Sequence, residues 1–427
     1  MVRPGGQDRA RIMFRLALAS MRSRLIPVGL VVVALSASMA LLLSFDRIQQ
    51  ATKGGFNQSL SGVDLVLGPR GSGLELVLYT VFHLGKPTNN ITTATVSDIA
   101  SDPMVEWSVP VALGDSHRGF RVISTTKAYF DRIKFAGDKP LVFAQGNAFS
   151  DLNEVVLGSG VAEALGYTLG TTIFVTHGSE MLGELHDDFS FNVAGILAPT
   201  GTPTDRAVFV SLEGYELIHL GWKNGSKAIS LKGLDIDAIP RDRLYPETVT
   251  AVYLGLKSKL GIFKFIRKIN DYPEEAISAV IPGVALAQLW SMVGTVDSVF
   301  KLVNWLIIGI SIIGMVTMMI TGLDGRTREM TILRALGASP PKLACLVLLE
   351  TFVISLTAIL SAVILVRILT LGAADLLGEW AGIRVQLTWL AGNELVTLMI
   401  VVLAGLGASL IPAGMVYRRS LHRGFAN

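Results

Sequence analysis

Apolar residues are concentrated in four long runs, one near the start of the chain and three towards its end. The runs cover residues 25–45, 299–323, 343–372 and 395–417. A helix needs about 20 apolar residues to cross the hydrocarbon core of a bilayer, and each run supplies that length. The pattern therefore predicts an α-helical membrane protein with four transmembrane helices, one followed after a long interval by three.

The interval between the first two runs, residues 46–285, has the pattern of a folded domain. Short β-branched segments alternate with helical periodicity and turn residues, and no segment is long enough to span a membrane. We expect a large α+β extracytoplasmic domain of two subdomains here, with residues 286–323 forming a stalk and the second span. The expected strands are residues 62–68, 120–124, 172–176, 191–197, 207–211 and 248–256, and the expected helices are 161–165 and 262–270.

Basic residues are distributed unevenly among the connecting segments. They are concentrated in residues 1–24, 324–342 and 418–427, whereas the 373–394 loop is acidic. Because short basic loops stay on the cytoplasmic side, both termini are predicted in the cytoplasm and residues 46–298 in the periplasm. The N-terminal arm is expected to form an amphipathic helix on anionic lipid. A cleaved signal peptide fits less well, because the apolar run is too long and no clear cleavage site follows it.

The composition fits a few spans joined to a sizeable soluble domain, with 51% hydrophobic and 17% charged residues and a mean hydropathy of +0.52. A net charge of +3 gives no argument for a nucleic-acid partner, and the single cysteine, Cys345, excludes an intramolecular disulfide. The glycine-rich residues 68–75 lack the Lys-Ser/Thr of a P-loop, and no other catalytic motif occurs. The chain is therefore predicted not to be an enzyme, and its energy input must come from another chain.

Residues 325–339, between the second and third spans, are basic and patterned like a helix. Met330, Leu333 and Leu336 recur at helical spacing and form an apolar stripe. A stiff cytoplasmic helix held between two spans can transmit a displacement from a soluble partner to the membrane-spanning helices. An ordinary cytoplasmic loop would need the arginines but not the stripe.

Two features follow this stripe. Gly337 is a plausible helix stop, and Ser339 with Pro340 predicts the start of the next helix. Glu350 then falls inside the third span, where a carboxylate is costly unless it is paired, hydrated or protonated. We expect it to make a coupling or dimer contact, or to reach back to the arginines of the cytoplasmic segment.

Five of the six histidines lie in the 46–285 interval. His177 and His186 bracket a polar stretch, and Asp187 follows directly. Imidazole and carboxylate together are a zinc-compatible ligand set. The spacing matches no compact metal motif, however, so a solvated loop is the simpler interpretation and these three residues are only speculative ligands.

The order of spans and the central segment resemble the MacB/FtsX-type ABC transporter permeases, which include the lipoprotein-releasing LolC and LolE subunits. The residues that carry the resemblance are Arg326-x-Arg-Glu-Met-x-Ile-Leu-Arg-Ala-Leu-Gly-Ala-Ser339 and Glu350. Residues 154–173 and 191–197 are similar to the MacB-type periplasmic core domain. Unlike MacB itself, this chain has no ATPase domain before the first span, which implies a separately encoded ATPase.

The resemblance implies a permease subunit of the bacterial inner membrane that works as a homodimer or heterodimer with a cytoplasmic ABC ATPase. ATP and Mg²⁺ would be bound by that ATPase, and no cofactor is expected in this chain. ATP-driven motion would pass through the central helix and the stalk to the periplasmic domain, a mechanism called mechanotransmission. The residues implied to contact the ATPase are Arg326, Arg328, Glu329, Leu333, Leu336 and Gly337.

The substrate stays open at this point: a lipoprotein, a lipid, a peptide or a small molecule would each fit the resemblance. An alternative function is an FtsX-like regulatory scaffold that activates a periplasmic or outer-membrane partner without transport. A third reading, motivated by the histidines alone, is a component of a zinc-linked transport system.

Overall fold

The computed structural model of the chain contains two compact units. It describes residues 15, 17–22, 24–59, 61–177, 189–220, 222–223, 226–227, 239–240, 244–325, 332–335, 338–381, 390 and 392–422. The helical unit comprises residues 1–49, 295–374 and 385–427, and the sheet unit comprises residues 50–294 and 375–384.

The elements of the described residues are numbered here in chain order. The helices are α1 (Leu25–Gln58), α2 (Gly73–Val81), α3 (Thr93–Ala100), α4 (Ala128–Arg132), α5 (Ser159–Leu165), α6 (Leu212–His219), α7 (Ile262–Asn270), α8 (Pro282–Gly325), α9 (Pro340–Ala381) and α10 (Gly392–His422). The strands are β1 (Leu65–Pro69), β2 (Ile91–Thr92), β3 (Val105–His117), β4 (Phe120–Thr125), β5 (Lys134–Phe135), β6 (Lys139–Pro140), β7 (Phe143–Gly146), β8 (Glu154–Leu157), β9 (Thr172–Ile173), β10 (Thr176–His177), β11 (Phe191–Leu197), β12 (Ala207–Ser211), β13 (Trp222–Lys223), β14 (Ser226–Lys227), β15 (Thr248–Val249), β16 (Ala251–Leu256) and β17 (Ile277–Val280).

Four of these helices, α1, α8, α9 and α10, contain segments long and apolar enough to cross a membrane. The segments are Leu25–Gln50, Pro282–Thr321, Pro340–Gly372 and Glu394–Arg418. This confirms the predicted fold class, in which one span is followed by a mixed α and β domain and then by three spans.

Small and polar side chains let the four long helices approach one another closely. The Ser38 hydroxyl of α1 lies 3.3 Å from the Ser311 hydroxyl of α8. A Cβ added at Gly405 of α10 would lie 3.4 Å from Oγ of Ser355 on α9. Helices in lipid associate through this kind of close packing and hydrogen bonding, because lipid provides no hydrophobic drive between them.

Two helix ends differ from those expected from the sequence. The first helix continues past residue 45 to Gln58, and the third continues past residue 372 to Ala381, into the segment expected to be a loop. Hydropathy marks where a span leaves the hydrocarbon core but not where its helix stops. Alanine and leucine in Ala373–Ala381 are strong helix formers, and they extend the helix beyond its apolar run.

One mixed sheet runs through the sheet unit. Its strand order is β17-β1-β16-β3-β4-β12-β8-β11-β7, with β10 paired to β3 and β9 to β11. The pairs β4–β12 and β8–β11 are parallel, and the other neighbours along this order are antiparallel. The strands of the 46–285 interval in this order therefore share one sheet, and the division of this interval into two subdomains stays a prediction.

Alternate residues of the central strands face opposite sides of this sheet. Phe209 of β12 packs into an apolar cluster with side chains of α2 and α4. Its neighbour Val208 packs into a different cluster with side chains of α5 and α6. A third cluster, built on β1, β16, α3 and α7, covers another part of the sheet. Apolar side chains of β12 therefore contribute to a hydrophobic core on each side of the sheet.

The junction between β8 and α5 requires glycine. A Cβ added at Gly158 would lie 2.3 Å from the carbonyl oxygen of Thr204 and 2.5 Å from that of Asp205. These carbonyls cannot move aside easily, because the Asp205 carboxylate accepts hydrogen bonds from the backbone N–H groups of Thr200 at 2.8 Å and Gly201 at 2.7 Å.

Gly158→Ala should therefore destabilise the sheet unit by at least about 2 kcal/mol, towards the upper range for overpacking. Gly71→Ala is the matched control, since the nearest atom to a Cβ there is 4.0 Å away. Denaturant unfolding of both variants checks this, and equal stability of the two would contradict it.

Candidate functional site

The central segment is described only in part. Residues 332–335 are helical, while Arg326, Arg328, Glu329, Leu336 and Gly337 lie outside the described residues. The Ala338 N–H donates a hydrogen bond of 2.9 Å to the Leu333 carbonyl. A bond spanning five residues is typical of a helix C-terminus. The next helix begins at Pro340, as the Ser339-Pro340 pair predicts.

The two apolar side chains of this described piece have different environments. Leu333 is half-buried and packs against a cluster to which all four long helices contribute. Ile332 is 60% exposed. Leu333 was expected to face an ATPase, and that role stays a prediction. Of the two, Ile332 is the side chain that presents an apolar surface outward.

Glu350 lies on the buried face of α9. The side chain is only 6% exposed, and the polar residues Thr351 and Ser355 on the same helix are also buried. The Thr351 hydroxyl donates to the Val347 carbonyl at 3.1 Å and lies 3.5 Å from the Met319 sulfur of α8. Glu350 is thus directed into the helical unit rather than towards lipid, and its part in coupling or dimerisation stays a prediction.

A buried ion pair joins α1 to the start of α10. Nε of Arg47 donates to Oε1 of Glu394 at 2.8 Å, and Nη2 donates to Oε2 at 3.1 Å. The two side chains are 11% and 3% exposed. Paired bonds of this kind combine strong charge-assisted contacts with a fixed geometry. Sequence reasoning missed Arg47, although an arginine directly after a span on the predicted outer side was a signal against the positive-inside trend.

The histidines of the sheet unit have distinct environments. Nδ1 of His117 lies 2.6 Å from the Phe174 carbonyl, and Nε2 lies 3.1 Å from the Tyr167 hydroxyl, so this buried ring has partners on both nitrogens. Burial, and then the Arg121 guanidinium, lower the pKa of His83 to about 4. His186 and Asp187 lie outside the described residues, and for His177 the structure describes the backbone.

A β-bulge in β3 positions a buried carboxylate. Leu113 pairs with Ile123 of β4 and Ser116 pairs with Arg121, so β3 has one extra residue between these pairs. Bulges of this kind redirect side chains locally. Asp115 lies in the bulge, and its side chain has no exposed surface.

His219, the last residue of α6, faces this carboxylate. Its Nε2 lies 3.6 Å from Oδ1 of Asp115, and its ring packs 4.3 Å from that of Tyr215 between centroids. Burial opposes the charged imidazole, but the Asp115 carboxylate and the Tyr215 carbonyl outweigh it and raise the pKa of His219. Sequence reasoning included His219 only among the five histidines of the 46–285 interval and missed Asp115, because nothing in the sequence links β3 to the end of α6.

Among the side chains that the structure describes, no three His, Cys, Asp or Glu residues form a metal-binding group.

Comparisons with known proteins agree with this architecture of a multi-pass membrane protein carrying a sheet domain. The family model of the MacB-like periplasmic core domain matches residues 28–250, and that of the FtsX-like permease C-terminal matches residues 301–421. The chain belongs to the MacB/FtsX-type ABC transporter permeases. A search of curated proteins found no match.

Two solved structures are similar to part of the chain. The periplasmic region of MacB from Actinobacillus actinomycetemcomitans is 10% identical, with a TM-score of 0.33, over 54% of this chain and 94% of that one. The extracellular domain of the noncanonic ABC-type transporter YknZ from Gram-positive bacteria is 15% identical, with a TM-score of 0.30, over 51% of this chain and 98% of that one.

Proposed function

We propose that this chain is a permease subunit that couples ATP hydrolysis by a separate cytoplasmic ATPase to movement of its periplasmic domain. In this proposal both termini and residues 324–342 are cytoplasmic, and residues 46–298 are periplasmic. The subunit acts as a dimer in the bacterial inner membrane on an envelope substrate, such as a lipoprotein, a lipid, a peptide or a small molecule. ATP and Mg²⁺ are held by the ATPase.

The observation that carries this proposal is the course of α8. This helix runs without interruption from Pro282 to Gly325, with its first residues in the sheet unit and the rest in the helical unit. A continuous helix is stiff, so displacement at one end reaches the other without being absorbed by a loop. The central segment follows Gly325 directly in the chain, and α8 would therefore connect the proposed ATPase contact to the sheet unit through one element.

The first helix supports the same mechanism. It runs from Leu25 to Gln58 and crosses the boundary between the two units at Gln49. Two helices therefore enter the sheet unit from the helical unit, one before it in the chain and one after it. A relative shift of these helices would deform the sheet unit, whereas a substrate path through the spans is not required.

The proposed ATPase contact centres on Arg326, Arg328, Glu329 and the apolar side chains of the central segment. Arginine pairs well with carboxylates on a partner surface because its fork of donors binds them at two points. Ile332, which follows these residues in the chain, supplies exposed apolar area. Leu333 packs against the four-helix cluster, so it fixes the segment to the spans.

Ile332→Glu should abolish association with the ATPase and the stimulation of its hydrolysis. A charge at an exposed position has little effect on folding but is strongly unfavourable in an apolar docking pocket. The measurement is co-purification and ATP turnover with the ABC ATPase that binds the unchanged chain, both in lipid nanodiscs.

Leu260→Glu is the matched control, because Leu260 is an 87% exposed apolar residue of the sheet unit. It should leave both readouts unchanged. Normal ATPase binding and stimulation by the Ile332→Glu chain would refute the assigned contact.

A further inference from the structure

We propose that the contact between His219 and Asp115 is a pH-sensitive clamp within the sheet unit. When His219 is protonated, the clamp holds the C-terminal end of α6 against the bulge of β3. When His219 is neutral, this end of α6 is held less tightly. Because α6 packs against the central strands β4 and β12, the rigidity of the sheet unit then depends on the surrounding pH. The proposal goes beyond the permease function and does not rest on it.

The hydrogen bonding of His219 makes its contact with Asp115 depend on protonation. Nδ1 lies 2.7 Å from the Tyr215 carbonyl, and a carbonyl can only accept, so Nδ1 carries a hydrogen in both states. In the neutral ring Nε2 presents a lone pair, whereas in the charged ring it carries a second hydrogen. Nε2 lies 3.6 Å from Oδ1 of Asp115. Protonation therefore turns a contact between two acceptors into an ion pair.

Burial makes this contact sensitive to charge. The Asp115 side chain has no exposed surface, and that of His219 is 18% exposed. Two charges interact more strongly where little water lies around them to screen the field. A change from repulsion to attraction at this position therefore has a larger effect than the same change between two exposed side chains.

The surroundings of His219 determine the pH range in which the clamp works. Burial lowers the pKa of His219, but the Asp115 carboxylate, the Tyr215 carbonyl and Glu216 outweigh it, so the pKa lies above the ordinary value of 6.5. A group whose pKa is raised by folding stabilises the folded state when it is protonated. This contribution is complete below the ordinary pKa, and it is lost as the pH rises through the raised pKa.

Few other titratable groups among the described residues act on His219. Glu216 of α6 is one, and burial raises its pKa. The Tyr215 ring packs on His219 but stays uncharged near neutral pH, because burial raises its pKa. Strand β12 contains no titratable residue, and Arg121 of β4 is hydrogen-bonded to the loop after α2. The pH response is therefore assigned to the contact of His219 with Asp115.

Hydrogen exchange in the full chain, in lipid nanodiscs at about pH 6 and about pH 8, tests the clamp. The Leu220 N–H at the end of α6 donates to the Glu216 carbonyl at 3.0 Å, and such an amide exchanges when the helix end opens. After correction for the intrinsic pH dependence of exchange, protection of residues 212–220 should fall on going to the higher pH. The expected fall is about 10-fold for each pH unit between the ordinary and the raised pKa. Protection of α3, in the same unit, should not change.

Three variants identify the groups that respond. Asp115→Asn, which keeps the shape of the side chain, and His219→Gln should each make the protection of α6 independent of pH. His219→Lys keeps a positive charge at both pH values and should keep α6 protected at both. Protection of α3 in each variant shows that its sheet unit is folded.

His83→Asn is the matched control. Burial lowers the pKa of His83 to about 4, so its ring is neutral at both pH values, and asparagine tolerates the positive φ of 57° found there. Glu216→Gln and a glutamine at His177, which lies opposite Asp115 in the register of β10, should also keep the response. An unchanged chain without pH-dependent protection would overturn the clamp. So would a full response in Asp115→Asn or His219→Gln, or a response lost in Glu216→Gln or His177→Gln.

Discussion

Glu394→Ala should destabilise the helical unit by about 3–5 kcal/mol, because it leaves the Arg47 guanidinium buried without its carboxylate partner. The pair is bidentate, with distances of 2.8 and 3.1 Å, and the Glu394 side chain is only 3% exposed. The cost therefore comes mainly from an uncompensated buried charge rather than from one lost contact. Unfolding of the detergent-solubilised chain by SDS titration measures it.

The double variant Arg47→Leu with Glu394→Leu separates these two contributions. Replacing both buried charges by apolar groups is often neutral or stabilising, so the double variant should recover most of the lost stability. Lys301→Ala is the control, since Lys301 is 48% exposed in its 3.0 Å pair with Asp297. It should cost no more than about 1 kcal/mol. A Glu394→Ala variant no less stable than Lys301→Ala would show that the buried pair is not a strong contact.

The ion pair also bears on how the helical unit could move. It joins α1 at Arg47, two residues before the boundary at Gln49, to the first turn of α10. A contact of this strength makes the ends of these two helices move together. Any displacement of α1 that reaches the sheet unit would then involve α10 as well, and the leucine double variant would uncouple the two helices without unfolding them.

The spans could be predicted from the sequence because length and hydropathy alone determine whether a segment can cross a membrane. Helix ends could not, because they depend on helix propensity and capping beyond the apolar run. Ala373–Ala381 illustrates the difference, since it is polar enough to leave the bilayer and yet remains helical. Of the predicted ATPase-facing residues, only Leu333 lies within the described part of the chain, and it packs against the spans.

The longest strand, β3, was missed for two local reasons. Pro110 lies within it, and proline lowers the expectation of a strand, although here it pairs opposite Val252 of β16. The polar residues Gly114–His117 have the composition of a turn but continue the strand through a bulge. Missing β3 meant missing Asp115, and with it the buried pair that Asp115 forms with His219.

The sequence alone does not show which strands pair with one another or in what register. Strand β12 could be predicted from its β-branched residues, but its neighbours β4 and β8 follow from contacts distant in the chain. The same holds for the buried pair of Asp115 and His219, whose side chains meet only after β3 and α6 have packed.

Phe209→Ala should destabilise the sheet unit by about 3–5 kcal/mol, the range for removing a large buried aromatic side chain from a core. Phe209 is fully buried on the central strand β12, with ring centroids 5.0 Å from Tyr129 and 5.6 Å from Phe130. Because β12 is paired on both edges, its backbone cannot shift to fill the cavity. Phe263→Ala is the matched control: Phe263 is 75% exposed, and its loss should change stability by less than about 0.5 kcal/mol. Proteolysis of the sheet unit within the full chain, at increasing urea, compares the two. Equal midpoints would mean that the packing around β12 does not determine the stability of this unit.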